Sequence, residues 1–519
     1  MFPLIILILF TYIVADHAVF VTHQAYAPFI FTDPSAAHVV SALRILNGQT
    51  PLFYYHPGCA YYTLLSLCLL PLKSYVWHKH IDLFEFVYLH KEFVLLYLQF
   101  FTLFLSLSGL YYLNLAAVNM TKQKWSGLLV ILLFLASQGE YHARLWAVGA
   151  DGYLIFISGI VLFLFSRYVS SDGENTSKRK YLYPSFLLAG LGLAGKVSLL
   201  PLGIFLFFFL SYEIKKNRIP LSGKLKEFFL CAACIMAGFL SGVMVMGPQI
   251  LNFFNFVYVS ATHQGPYEHG GPGLNIAMTA QNISGIILHN GSFILLLVVL
   301  QIHLFYKKAG SKDPLDPVGK YAMIFFLVLA SAFIYLGILI VKPLAIRYNI
   351  VTAVLISFAL SMALDVLAGH KKIAVILILT TALAGACYQR LFAYQRLLLN
   401  TEQADQDMEN LIKKHHIDIH KDIILFDSGS IKNKNIYFLY GNMFAGDAFK
   451  EVLLKYQPNI FILSKHKDTI YGYTGWHPIR KDWQFAIISK HQALKYPYEK
   501  RLRARVLDIQ GNSYLLTPQ

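Results

Sequence analysis

The chain has 519 residues, 56% of them hydrophobic and 14% charged, against about 45–50% apolar and about 25% charged in a soluble domain. With 44 Lys and Arg against 28 Asp and Glu the formal charge is +16. The basic residues gather in short loops between apolar runs, so membrane topology explains the excess and no nucleic-acid partner is called for.

A run of about 20 apolar residues is enough to cross a hydrocarbon core of about 30 Å. The first such run, 2–21, lacks a basic n-region and a small-x-small cleavage site, so it is expected to be a retained span rather than a signal peptide. The next stretch, TDPSAAHVVSALRILNGQTPLFYYHPG, is polar. Asp33 followed by Pro34 is the pattern of a helix N-cap with proline at the first helical position. From Ser35 to Asn47, Ala36, Val39, Val40, Leu43 and Leu46 share one helical face and His38, Ser41 and Arg44 another, which predicts an amphipathic helix in the membrane interface. The apolar piece 59–72 is short for a span and is expected to be interfacial or re-entrant.

Further spans are expected at about 93–117, 126–138, 151–168, 183–195, 197–212, 227–247, 284–305, 321–341, 348–369 and 373–391, eleven with the first. The block 183–212 is broken at Gly195-Lys196, which predicts two short helices meeting near one membrane face. Cys231 and Cys234 lie inside an apolar run, where a pair one turn apart belongs to the core. Basic clusters at 122–124, 178–180, 215–226, 307–312 and 371–372 fall in alternate loops and should face the cytoplasm. The outer set is then the first loop 22–91, residues 139–150, the turn at Lys196, the loop 248–283, the segment around Arg347 and the tail. The count closes only if 59–72 does not cross. The tail, 392–519, reads as a soluble α/β domain: DIILFDS, PNIFILSK and WQFAIISK have the form of buried strands, and GDAFKEVLLKY has helical spacing.

Polar residues therefore collect on the expected outer face. Asp33, His56, Asp151, Lys196, His263, Glu268, His269 and Arg347 all fall there, and ionisable groups near spans are costly unless they pair or serve a cavity. Each has a plainer reading beside the functional one. Asp33 caps a helix, Asp151 complements a helix N-terminus, Lys196 snorkels and Arg347 anchors a span. The loop THQGPYEHGGPG is turn-rich, and its His263, Glu268 and His269 match no standard metal spacing.

Taken in order, these elements resemble the GT-C class of integral-membrane glycosyltransferases, in the branch of lipid A aminoarabinose transferase and protein O-mannosyltransferase-like enzymes. The likeness rests on Asp33 opening a helix, then PLFYYHPG, then RLWAVGAD, then LAGLGLAGKVSLLPL, then RYNIVTAVLISFAL, and covers about 1–390 with a weaker likeness in the tail. The chain has Asp33-Pro34 where the family usually has Asp-Glu or Glu-Ala, and His56-Pro57-Gly58 where it often has Lys-Pro-Pro or His-Pro-Pro.

The resemblance implies a GT-C-like fold of about eleven transmembrane helices plus interfacial helices over 1–391, and an outer, periplasmic α/β domain over 392–519. It implies a polyprenyl-phosphate-linked sugar as donor, an acceptor hydroxyl on a lipid, glycan or protein, and inverting transfer at a bacterial inner membrane. Asp33 would be the general base, and Asp151 would hold the acceptor, orient a base or bind a cation. His56, Lys196 and Arg347 would meet the donor phosphate. Tyr55, His263, Glu268 and His269 would line the substrate loop. No metal site is assigned, although a divalent cation fits the chemistry. A lipid or polymer transporter, and a non-catalytic assembly protein with a degenerate transferase fold, are the competing readings.

Overall fold

The computed structural model describes residues 32–52, 58–137, 148–171, 175–216, 221–261, 280, 317–340, 349–365, 403, 406–427, 437–445, 448–463, 469–472, 475–479, 482–489, 502–510 and 513–518. Helices α1 (Thr32–Leu46), α2 (Cys59–Cys68), α3 (Leu70–His78) and α4 (Leu83–Leu89) precede the bundle. The bundle follows as α5 (Lys91–Thr121), α6 (Lys124–Ser137), α7 (Ala150–Ser170), α8 (Asn175–Gly195), α9 (Leu200–Lys216), α10 (Leu221–Val243), α11 (Ile250–Ala261), α12 (Pro317–Ile340) and α13 (Ile350–Asp365). Among the described residues five helices are long and apolar enough to cross a membrane, or six if the bent pair α2 and α3 is one span. The spans expected at 2–21, 284–305 and 373–391 lie outside the described residues. The pair α2–α3 bends by 45° where Pro71 enters the first turn of α3; the 10 residues of α2 reach about 15 Å, half a hydrocarbon core.

Small residues set the closest helix approaches. A Cβ on Gly109 of α5 would lie 2.5 Å from the carbonyl of Ile155 on α7, and one on Gly159 of α7 would overlap Gly109 O. A Cβ on Gly190 of α8 would overlap Ile235 O on α10, and one on Gly238 of α10 would overlap Leu187 O. In a bilayer, where lipid is as apolar as leucine, such backbone approach is what holds helices together. Both pairs run parallel, since residues rise together along each: Thr102 with Gly152 and Gly109 with Gly159, then Tyr183 with Glu227 and Ala194 with Gly242.

Helix α14 (406–414) is followed by α15 (Tyr437–Ala445), α16 (Lys450–Tyr456) and seven strands. The strands are β1 (Ile424–Asp427), β2 (Ile460–Leu463), β3 (Thr469–Gly472), β4 (Gly475–Pro478), β5 (Phe485–Ser489), β6 (Ala504–Gln510) and β7 (Ser513–Pro518). They form one sheet of order β4-β3-β2-β1-β5-β7-β6. β1 pairs parallel with β2 and β5, with Ile424 beside Ile460 and Phe485, and the outer pairings are antiparallel. Alternate residues go to opposite faces. Ile424, Phe426, Ile460, Ile462 and Ile487 join the main core. Leu425, Phe461, Leu463, Ala486 and Ile488 build a second one with Trp483 and Leu502.

The sheet domain sits on the segment before the bundle. Tyr88 of α4 stacks on Tyr456 at 5.2 Å and lies 6.1 Å from Phe438, while Phe84 meets Phe449 edge-on at 5.2 Å. Glu85 accepts from Lys455 Nζ at 2.7 Å and from the Tyr456 hydroxyl. Lys455, and then Tyr456, hold the Glu85 carboxyl below its usual range, and Glu85 in turn raises Lys455. Such exposed pairs stabilise little, but they give the seam a pH window. A lowered carboxylate contributes fully above the unfolded value of about 4.3 and loses its contribution as pH falls through the folded value; a raised lysine contributes fully below about 10.4 and loses it above. A fluorescence donor–acceptor pair across the seam should therefore read a constant distance from about pH 5 to 9 and loosen below about pH 4. Loosening between pH 5 and 7 would rule out Glu85 as the titrating group.

Candidate active site

The site begins with two helix ends. α7 and α8 are joined through 171–174 and run antiparallel, so Ala150 and Gly195 lie at the same end of the bundle. Asp151 is in the first turn of α7, where free N–H groups and the helix dipole favour a carboxylate. Lys196 follows the last residue of α8 in extended backbone (φ −168°, ψ 133°), before the 3-10 turn Val197–Leu199 and α9. This is the break expected at Gly195-Lys196, and it places the cation at a helix C-terminus. Lys196 Nζ donates to Asp151 Oδ1 at 2.7 Å, with the side chains 15% and 9% exposed. An ion pair this dry holds only with good geometry, and removing one partner leaves a buried charge.

Aromatic rings wall the pair. Tyr153, one position past Gly152 on α7, donates its hydroxyl to Leu191 O at 3.0 Å, and Gly195 leaves room for its ring, since a Cβ there would overlap Tyr153. Tyr61 of α2 lies 6.1 Å from Tyr153, and its hydroxyl is 3.2 Å from Thr102 Oγ1 on α5. His38 of α1 meets Tyr61 at 5.5 Å and Tyr62 at 5.3 Å. A continuous buried layer thus runs from α1 through α2 to the start of α7. The helix Ile350–Asp365 also packs on the 3-10 turn after Lys196.

Helix α1 differs from its expected setting. From Ala36 to Leu43 every residue is buried, His38 and Ser41 included, so it is not an amphipathic helix floating in the interface. α2 covers the side that periodicity assigned to water, with Tyr61 and Tyr62 against His38, while α15 packs on the apolar side at Ala36 and Val40. The end of α1 follows its sequence. Gly48 takes φ 75°, Gly48 N donates to Ile45 O and Gln49 N to Arg44 O, the Schellman pattern that favours glycine; Lys73 Nζ also donates to Leu46 O. In backbone terms Asp33 is the second residue of α1.

Of the residues read as site candidates, the structure brings Asp151 and Lys196 together and places the backbone of Asp33 at the start of α1. Tyr55, His56, His263, Glu268, His269 and Arg347 lie outside the described residues. Sequence reasoning passed over Tyr61 and Tyr153. Both sit in apolar runs, where a tyrosine looks like any core aromatic. Among the described residues no group of three or more His, Cys, Asp or Glu could hold a metal ion.

No protein-family profile matches the sequence, and no curated protein matches it. Solved structures do. The chain is similar to ArnT from Cupriavidus metallidurans bound to undecaprenyl phosphate, with TM-score 0.51 and 10% identity over 96% of this chain and 97% of that one. It is also similar to the apo state of that ArnT, with TM-score 0.45 and 11% identity over 80% of this chain and 83% of that one. A third is the archaeal oligosaccharyltransferase AglB from Archaeoglobus fulgidus in complex with an inhibitory peptide and a dolichol-phosphate, with TM-score 0.43 and 11% identity over 92% of this chain and 69% of that one. With its apolar helices and its end-to-end likeness to the undecaprenyl-phosphate-bound ArnT, the chain is a polytopic helical membrane protein with a GT-C-like fold.

Proposed function

We propose that this protein transfers a sugar from a polyprenyl-phosphate donor to an acceptor hydroxyl, with inversion, at the membrane face carrying α1 and the Asp151–Lys196 pair. The observation that carries the reading is that pair: a carboxylate and an ammonium 2.7 Å apart, dry, at one end of a GT-C-like bundle whose structural relative binds undecaprenyl phosphate.

In the proposed reaction the Asp33 carboxylate takes the proton from the acceptor hydroxyl as its oxygen bonds to the anomeric carbon. The bond from that carbon to the phosphate oxygen breaks, and the polyprenyl phosphate leaves carrying the electron pair. Negative charge grows on that oxygen, so a fixed cation nearby stabilises the transition state more than the ground state. Lys196 is the proposed cation, with His56 and Arg347. Asp151 orients Lys196 between turnovers. Tyr55, His263, Glu268 and His269 belong to the proposed substrate wall, and the loop 248–283 would close over it. The site would face the periplasm of a bacterial inner membrane, with residues 392–519 on the same side. A lipid, glycan or protein could supply the hydroxyl.

The direct test gives purified protein a labelled polyprenyl-phosphate sugar. Asp33→Asn should keep the fold and lower the rate of transfer by about 10²–10⁴-fold. Full retained transfer would remove Asp33 as the base.

A further inference from the structure

We infer that the sheet domain is a positioning device for the helix that carries Asp33, with Gly441 as its contact residue; this rests on the reading of Asp33 as base. The argument starts from how α1 is held. Its residues Ala36 to Leu43 are buried on every side, the polar His38 and Ser41 included. Three contacts enclose it. Lys73 caps its C-terminal carbonyl Leu46 O, Tyr61 and Tyr62 pack on His38, and α15 lies along the remaining side.

The α15 contact is a backbone approach. A Cβ on Gly441 would come 2.8 Å from Val40 Cγ2 and 3.0 Å from Ala36 O. Only glycine permits that spacing, so the distance from the sheet domain to α1 is set at this position. α15 is itself fixed. Phe438 stacks on Phe449 at 4.2 Å, and Phe449 packs on Phe84 of α4. Asn442 accepts from Phe449 N at 3.2 Å. The domain therefore grips α4 with its aromatic residues and presses α15 on α1. Gly441 touches no reacting group and acts through Ala36 and Val40, three and seven residues beyond Asp33.

A displaced general base loses rate steeply, about a hundredfold for 1 Å, while binding of a lipid-linked donor held elsewhere is spared. Gly441→Ala should therefore lower kcat for transfer about tenfold or more with the donor KM unchanged, and raise hydrogen exchange over residues 32–46 while leaving β1, β2 and β5 protected. Because the nearest clash is with a valine methyl, Val40→Ala added to Gly441→Ala should restore both. Unchanged kcat and unchanged exchange in Gly441→Ala would overturn the inference. So would raised exchange over 32–46 with unchanged kcat, or a double variant no better than the single one. If the wild-type protein transfers no sugar from any polyprenyl-phosphate donor, the proposed function falls, and the exchange arm with its Val40→Ala rescue still decides whether Gly441 sets the position of α1.

Discussion

Lys196→Met is expected to abolish transfer and to cost about 3–5 kcal/mol of stability, the usual penalty for stranding one member of a buried ion pair. Combining it with Asp151→Leu is expected to regain most of that stability and none of the activity, because two well-packed apolar groups replace the pair without an uncompensated charge. The reason lies in where the pair sits. Asp151 and Lys196 meet at 2.7 Å with little exposure, each at the helix end whose partial charge suits it. Thermal unfolding in detergent or nanodiscs reads the first quantity and release of labelled polyprenyl phosphate the second. A double variant that transfers sugar would remove the pair from the chemistry. A single variant as stable as wild type would show that the pair is hydrated in the working protein.

The second large effect belongs to the bundle. Gly159→Val should prevent a stable fold or lower its melting temperature severely, because even its Cβ would overlap Gly109 O on α5. Overpacking a core ordinarily costs about 1–3 kcal/mol, and here the obstacle is backbone, which cannot rotate away. Gly159→Ala should show the same sign with a smaller loss. Gly203 is the control: nothing lies within 4 Å of its Cβ position on α9, so Gly203→Ala should be neutral or slightly stabilising through helix propensity. Equal tolerance at Gly159 and Gly203 would contradict the packing of α5 on α7. α7 also carries Asp151 at its start, so a partly tolerated substitution at Gly159 should lower transfer as well as stability.

Two members of the candidate site, Asp151 and Lys196, were legible in the sequence because charge in an apolar chain is conspicuous. Asp151 and Lys196 each interrupt or open an apolar run, and loop charge placed both on one face. What sequence could not supply was their contact. They are far apart along the chain, and only the antiparallel return of α8 beside α7 brings them within hydrogen-bonding distance. Tyr61 and Tyr153 carried no signal, since a buried tyrosine in an apolar run is ordinary. In the sheet domain, β1, β2 and β5 were readable as apolar runs. β6 and β7 were not read, although Gly511-Asn512 between Gln510 and Ser513 is a hairpin signature. Their outward positions break the apolar run that buried strands show.

By itself the sequence determined that this is a helical membrane protein and where its helices break, and it raised the expectation that its acids and bases gather on one face. Those features follow from local quantities, namely the length of an apolar run, a proline or glycine at a break, and the sign of charge in a loop. Only the tertiary structure decided that α1 is buried rather than interfacial. Periodicity shows which residues of a helix are apolar, not what lies against the polar side. Here that side, at His38, is covered by Tyr61 and Tyr62 of α2, and the apolar side by α15, from a segment some 400 residues later in the chain, with Gly441 seated on Ala36 and Val40.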